Sequence, residues 1–188
     1  MSQQVWTRRA SAQVPSEDAP IYNPPEDADA VKAECDSFIV DSFTVDDAWV
    51  LGNLLRQRLL PLAPQTPTVI SIALANNSHV LFQCVNGSGM PPDNEVWVRR
   101  KRNSVLRWGC STWFLHCKFD ADEEAFAAKY GLSPEKAREY AIHGGGVPIR
   151  IKGVEGVVAV VVVSGLKQHL DHGVIVDVIR SNWQPLSS

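Results

Sequence analysis

Seven consecutive apolar residues, Val157 to Val163 (VVAVVVV), set the first constraint on this 188-residue chain. A strand sends successive side chains to opposite faces, and six of these seven residues are the β-branched valine that strands favour. A strand apolar on both faces must be covered on both, so helices are expected above and below a sheet. The run is also far short of the roughly 20 residues that a membrane-spanning helix needs. Just before it, VPIRIK alternates apolar and basic residues, and Gly153 to Gly156 turn one segment into the other. The two form a β-hairpin with one partner wet on a single face.

The rest of the pattern supplies the covering layers. PTVISIALA and HVLFQCV flank Asn76-Asn77-Ser78, residues that tolerate left-handed turn geometry, and give a further hairpin. Thr44 is an N-cap with Asp46 and Asp47 in the first turn, followed by Val45, Ala48, Trp49, Leu55 and Leu59 at helical spacing until Pro61. Pro92 and Asp93 open the helix-rich NEVWVRRKRNSVLRWGCSTWFLHCKF. Asp122 opens a helix that Gly131 ends, and Ser133-Pro134-Glu135 starts a short one. Leu170, Val174 and Val178, with Ile175 and Ile179, mark the inner face of a last helix. The order is helix, hairpin, helices, hairpin, helix, which is an α/β (α+β) fold in three layers.

Residues 1–30 are acidic and proline-rich without apolar periodicity, so a disordered N-terminal arm is expected, with the folded domain over residues 40–184. A net charge of −3 and a pI near 5.9 give no global attraction to nucleic acid or to an anionic membrane, and neither is an expected partner. Met1 to Ser16 lacks the apolar segment of a secretory signal, so the expected location is cytoplasmic and the four cysteines are expected to be reduced. If Cys110 and Cys117 share one helix, they stand about 10 Å apart, beyond the ~7 Å limit for a disulfide.

His143-Gly144-Gly145-Gly146 can be an oxyanion loop, a phosphate cradle or a structural turn. An oxyanion loop of this kind works beside a G-x-S-x-G nucleophile elbow, which the chain lacks. Neither G-x-x-x-x-G-K-[ST] nor G-x-G-x-x-G occurs. Two readings stay open: amides that hold an anion, or glycines that let a strand begin closely packed against a helix. The RRKR run (99–102) beside Trp97, with Arg107 and Trp108 following, can be a nucleic-acid patch or a solvated, ion-paired helix face. Successive helical residues point about 100° apart, which favours the second. In HLDH, His169 and His172 stand at i, i+3, but a metal site needs a third ligand, from His143 or His116.

HGGGVPIRIKGVEGVVAVVVVSG followed by DH resembles the C-terminal half of the GlcG/HbpS-like group, the haem-degrading domain family. DDAWVLGNLLRQRLL, PDNEVWVRRKRNSVLRWGCSTW and EAFAAKYGL narrow the resemblance to its UPF0303 branch, over roughly Val40 to Trp183. The resemblance implies a profilin-like three-layer α/β/α sandwich with a mainly antiparallel sheet, here built from the two hairpins. It also implies dimers assembled into a larger homo-oligomer that binds, or degrades, haem or a related tetrapyrrole. A fungal branch implies the alternative of a non-enzymatic oligomeric adaptor for chaperones in the targeting of tail-anchored proteins to the endoplasmic reticulum. The matching positions are Gly144, Gly145, Gly146, Pro148, Gly153, Ser164, Gly165 and Asp171, mostly backbone-shaping residues, so catalysis is left open. On this footing His143 or His172 is the candidate axial ligand of haem. Gly144 to Gly146, Arg99 and Arg102 are candidates for its propionates, and Asp171 completes the ligand-binding set.

Overall fold

Thr44 caps its helix as its sequence requires: its hydroxyl accepts from the Asp47 N–H at 3.2 Å, and the Asp47 carboxylate accepts from the Thr44 N–H at 2.7 Å. That helix is one of seven in the computed structural model, which describes residues 4–13 and 19–186. The first half of the chain contains β1 (Val5–Arg8), α1 (Ala28–Glu34), β2 (Phe38–Val40), α2 (Val45–Leu59), β3 (Thr68–Leu74) and β4 (Val80–Asn86). The second contains α3 (Asp93–Trp108), α4 (Thr112–Lys118), α5 (Glu123–Lys129), α6 (Pro134–Ala137), β5 (Gly146–Ile151), β6 (Ala159–Ser164), α7 (Gln168–Asn182) and β7 (Trp183–Pro185).

The seven strands form one sheet in the order β4-β3-β6-β5-β2-β1-β7. The expected hairpins, β3–β4 and β5–β6, are both present and join through antiparallel pairing of β3 with β6. Beyond them the sheet is mixed, because β2 runs parallel to β5 and to β1, while β7 closes the edge antiparallel to β1. The sheet therefore extends past two hairpins and is mainly, not purely, antiparallel.

Strand β6 is covered on both faces. Val160 and Val162 pack with Val69 of β3 and with Val98 and Val105 of α3. Ala159, Val161 and Val163 belong to the larger core on the other face, with Leu51 and Leu55 of α2 and Val174, Ile175 and Val178 of α7. Every residue from Ala159 to Val163 is fully buried. Hence α3 lies on one side of the sheet and α2 with α7 on the other, the three layers expected from the valine run.

One expectation is corrected. The described parts of residues 1–30 are not a free arm: Val5–Arg8 is a sheet strand, and α1 begins at Ala28. Its own carbonyls anchor this segment, since Arg58 Nη2 donates to the Ala19 carbonyl at 2.6 Å and Trp113 Nε1 to that of Pro25 at 2.8 Å. A Cβ on Gly173 would collide with the Tyr22 carbonyl, so α7 leaves room for the chain to cross. The expected arm's residues 1–3 and 14–18 lie outside the described residues. Gly109, at φ 65°, ends α3, so Cys110 lies outside the helices and Cys117 in α4; all four cysteines are free, in line with the reduced state expected of them. Among the described residues, no helix is long and apolar enough to cross a membrane.

Candidate functional site

On α3, Val98, Lys101 and Val105 are spaced three and four apart, so the lysine occupies an inward position between two core valines. Its side chain is 3% exposed, and Nζ donates to Asp171 Oδ2 at 2.9 Å and to the Val163 carbonyl at 3.0 Å. Asp171, in the first turn of α7, also accepts from the Leu166 N–H at 2.9 Å and the Gly165 N–H at 3.4 Å. Because α3 and α7 flank the sheet on opposite faces, this pair ties the two outer layers together beside the end of β6.

The glycine run makes the crossing possible. Gly145 has φ +108°, and a Cβ there would strike the Val163 carbonyl and stand 2.7 Å from Asp171 Cβ and 2.8 Å from Lys101 Nζ. Burial pushes the Asp171 carboxyl up from its ordinary range, while Lys101 and the two loop amides pull it down. Each of its hydrogen-bond neighbours is an N–H donor, so the carboxylate is the form that its surroundings satisfy.

An open cleft of about 360 Å³ lies over the pair, lined by Asn94, Trp97, Lys101, His143, Ser164, Gly165, Leu166, Gln168 and Asp171. His143 Nδ1 stands 3.4 Å from Glu123 Oε1, and the ring meets Trp97 edge-on with centroids 4.7 Å apart. Burial pushes the imidazole pKa down; Glu123 opposes this, and Lys101 and Arg100 add to it. The ring is therefore neutral at physiological pH, with a carboxylate beside one nitrogen.

The cleft unites two of the sequence candidates, His143 and Asp171, with Gly144, Gly145 and Gly146 packed buried behind them. Two of the three glycine amides are already engaged: Gly146 N–H donates to Thr112 Oγ1 at 2.9 Å and Gly144 N–H to Gln168 Oε1 at 3.4 Å. Of the two open readings, close packing accounts for these contacts.

Arg99 is exposed and lines no described cavity, and Arg102 donates to Ser71 Oγ on β3 at 2.7 Å. The 100° step along α3 turns both away from the cleft and leaves Lys101 to enter it. The expected role of His172 as an axial ligand is likewise corrected: it is 0% exposed inside the core, where burial pushes its pKa down to about 3. His116 stacks on Trp113 at 4.7 Å, and no metal-holding group of three His, Cys, Asp or Glu side chains occurs among the described residues. Sequence reasoning missed Lys101, Asn94 and Gln168 as site residues. The signal for Lys101 was its spacing from Val98 and Val105; Asn94 and Gln168 carried none.

The family described as "Haem degrading protein HbpS-like" matches residues 43–180. A UPF0303 protein of Streptomyces avermitilis is 39% identical over 138 residues, covering 73% of this chain and 79% of the relative. UPF0303 protein YBR137W of Saccharomyces cerevisiae is 34% identical over 154 residues, covering 79% of this chain and 78% of the relative. The crystal structure of Ybr137w matches with a TM-score of 0.67 at 33% identity, over 75% of this chain and 78% of that one. That of HbpS matches with a TM-score of 0.53 at 19% identity, over 73% and 87%, a likeness of fold alone.

Proposed function

This chain belongs to the HbpS-like haem-degrading protein family, among its UPF0303 relatives, and from that premise we propose that it is a small-ligand-binding protein whose Lys101–His143 cleft receives haem or a related tetrapyrrole. The observation that carries the reading is His143, a neutral imidazole at a cleft with Glu123 beside its Nδ1. Neutral imidazole is the form that ligates iron, and Glu123 stands 3.4 Å from Nδ1 without a hydrogen bond to it. Lys101 supplies a cation for a propionate, and Trp97 an aromatic wall. At about 360 Å³ the cleft is at the small end of ligand sites, and its open side lets a wide ring enter by one edge. Haem bound there would bring a redox-active iron; the residues of this chain bind and orient it.

Titration with haemin tests the reading. A Soret shift is expected for the wild type and for His172→Ala, and its loss for His143→Ala. No shift, or an unchanged shift in His143→Ala, would overturn it.

Self-assembly belongs to the same proposal. Strand β4 is a sheet edge with Val80 48% and Val85 55% exposed, next to α2 with Val45 62% and Trp49 61% exposed. An apolar edge of this kind supports pairing with a second copy. Light scattering should return a multiple of 20.7 kDa, and a monomer mass would contradict the assembly.

A further inference from the structure

Around the cleft, the acceptors of Asn94, Gln168 and Asp171 are engaged, while donors of Asn94, Gln168 and Lys101 are unused. Asn94 Oδ1 accepts the Ser164 hydroxyl at 3.3 Å, and Gln168 Oε1 accepts the Gly144 N–H at 3.4 Å. Asp171 uses both oxygens on Lys101, Gly165 and Leu166. Asn94 Nδ2, Gln168 Nε2 and one N–H of Lys101 are left without a partner among the described residues, since the ammonium has three donors and two are engaged. Against them stands the Ser164 oxygen, an acceptor left free once its proton goes to Asn94.

Lys101 weighs most in this balance. Its side chain is 3% exposed, and a buried cation with an unmade hydrogen bond is costly until an acceptor arrives. Asp171, 2.9 Å from the ammonium and itself lining the cleft, offsets most of its charge, so the attraction for a ligand rests on the unmade hydrogen bond. The N-terminus of α7, whose first residue Gln168 lines the cleft, adds its partial positive charge. With Lys101 paired to Asp171, the cleft offers three donors and little net charge, which suits a monoanion better than a doubly charged phosphate.

We propose that the cleft is a carboxylate site, in which Lys101, Asn94 and Gln168 donate to the two oxygens of one carboxylate group. The inference rests on the cleft being the ligand site, not on the ligand being haem. The carboxylate can come from a tetrapyrrole propionate or from a small free acid, and one set of titrations separates the sources. Calorimetry with pyruvate and its neutral amide covers the small acid; haemin against haemin dimethyl ester, followed at the Soret band, covers the propionate. Asn94→Asp and Gln168→Glu keep the side-chain shape and the oxygens that accept from Ser164 and Gly144, but turn a donor into an acceptor.

A charged hydrogen bond is worth about tenfold or more in affinity, so the carboxylate form of a bound source should exceed its neutral form by roughly that factor. Each variant, folded by circular dichroism, should remove most of the difference. Haemin exceeding its ester while pyruvate fails assigns the propionate and upholds the site. Pyruvate binding with no haemin shift upholds the carboxylate site and removes haem. Haemin and ester shifting alike while pyruvate fails removes the carboxylate site and keeps haem. Carboxylate binding unchanged in both variants overturns the proposal.

Discussion

Asp171 and His172 are neighbours in the first turns of α7, 2% and 0% exposed, and the protein treats them in opposite ways. The aspartate stands where two layers meet, with three N–H donors, one of them a lysine from across the sheet, and a cleft beside it. The histidine enters the larger core, 6.5 Å from Trp113 between ring centroids, and neither ring nitrogen has a hydrogen-bond partner among the described residues. A buried carboxylate must be paired, whereas a buried imidazole can shed its proton and stay neutral. The difference separates a polar residue that builds a site from one that fills a core.

Breaking the charged half should have the largest effect. Lys101→Met leaves Asp171 buried without its cation and should lower unfolding stability by about 3–5 kcal/mol in a urea titration. A loss under 1 kcal/mol would mean that the pair is open to water. Gly145→Ala comes next, because a methyl group collides with the Val163 carbonyl at a φ that L-residues avoid; a cost of roughly 1–3 kcal/mol is expected. If Gly145→Ala were silent, the glycine would not be the gap through which the pair forms.

The neutral half should respond to pH. Folding holds the His172 pKa at about 3, below the ordinary 6.5, so the unfolded chain takes up a proton first as pH falls. This contribution is complete above pH 6.5 and is lost on acidification toward pH 3, by up to about 1.4 kcal/mol per pH unit. His172→Leu should cost less than about 1.5 kcal/mol at pH 7.5 and flatten the decline between pH 6.5 and 5. An unchanged decline would assign it to other groups. The smallest effect serves as a baseline: Thr44→Ala, distant from both residues, should cost about 1 kcal/mol through its capping box and leave haemin titration unchanged.

Side-chain pattern made much of the fold legible. The valine run required cover on both faces, and α2, the two hairpins and the last helix each followed from periodicity and caps. Strands β1, β2 and β7, of four, three and three residues, were beyond it, because so few residues carry no alternation and their places come from backbone pairing with distant strands. The described parts of the first 30 residues misled for the same reason: the Ala19 and Pro25 carbonyls accept from Arg58 and Trp113, contacts no local composition records. At the site, His143 and Asp171 were legible and Lys101 was hidden in RRKR, where charge drew attention from its place between Val98 and Val105. Asn94 and Gln168 acquire their roles only when α3 and α7 meet at one cleft.

The central claim, that Lys101 and Asp171 form one unit through the gap at Gly145, is tested most directly by a double-mutant cycle of Lys101→Met and Asp171→Leu in urea unfolding. The account predicts strong coupling, with the double variant more stable than either single one because neither leaves a lone buried charge. Losses that simply add would contradict it.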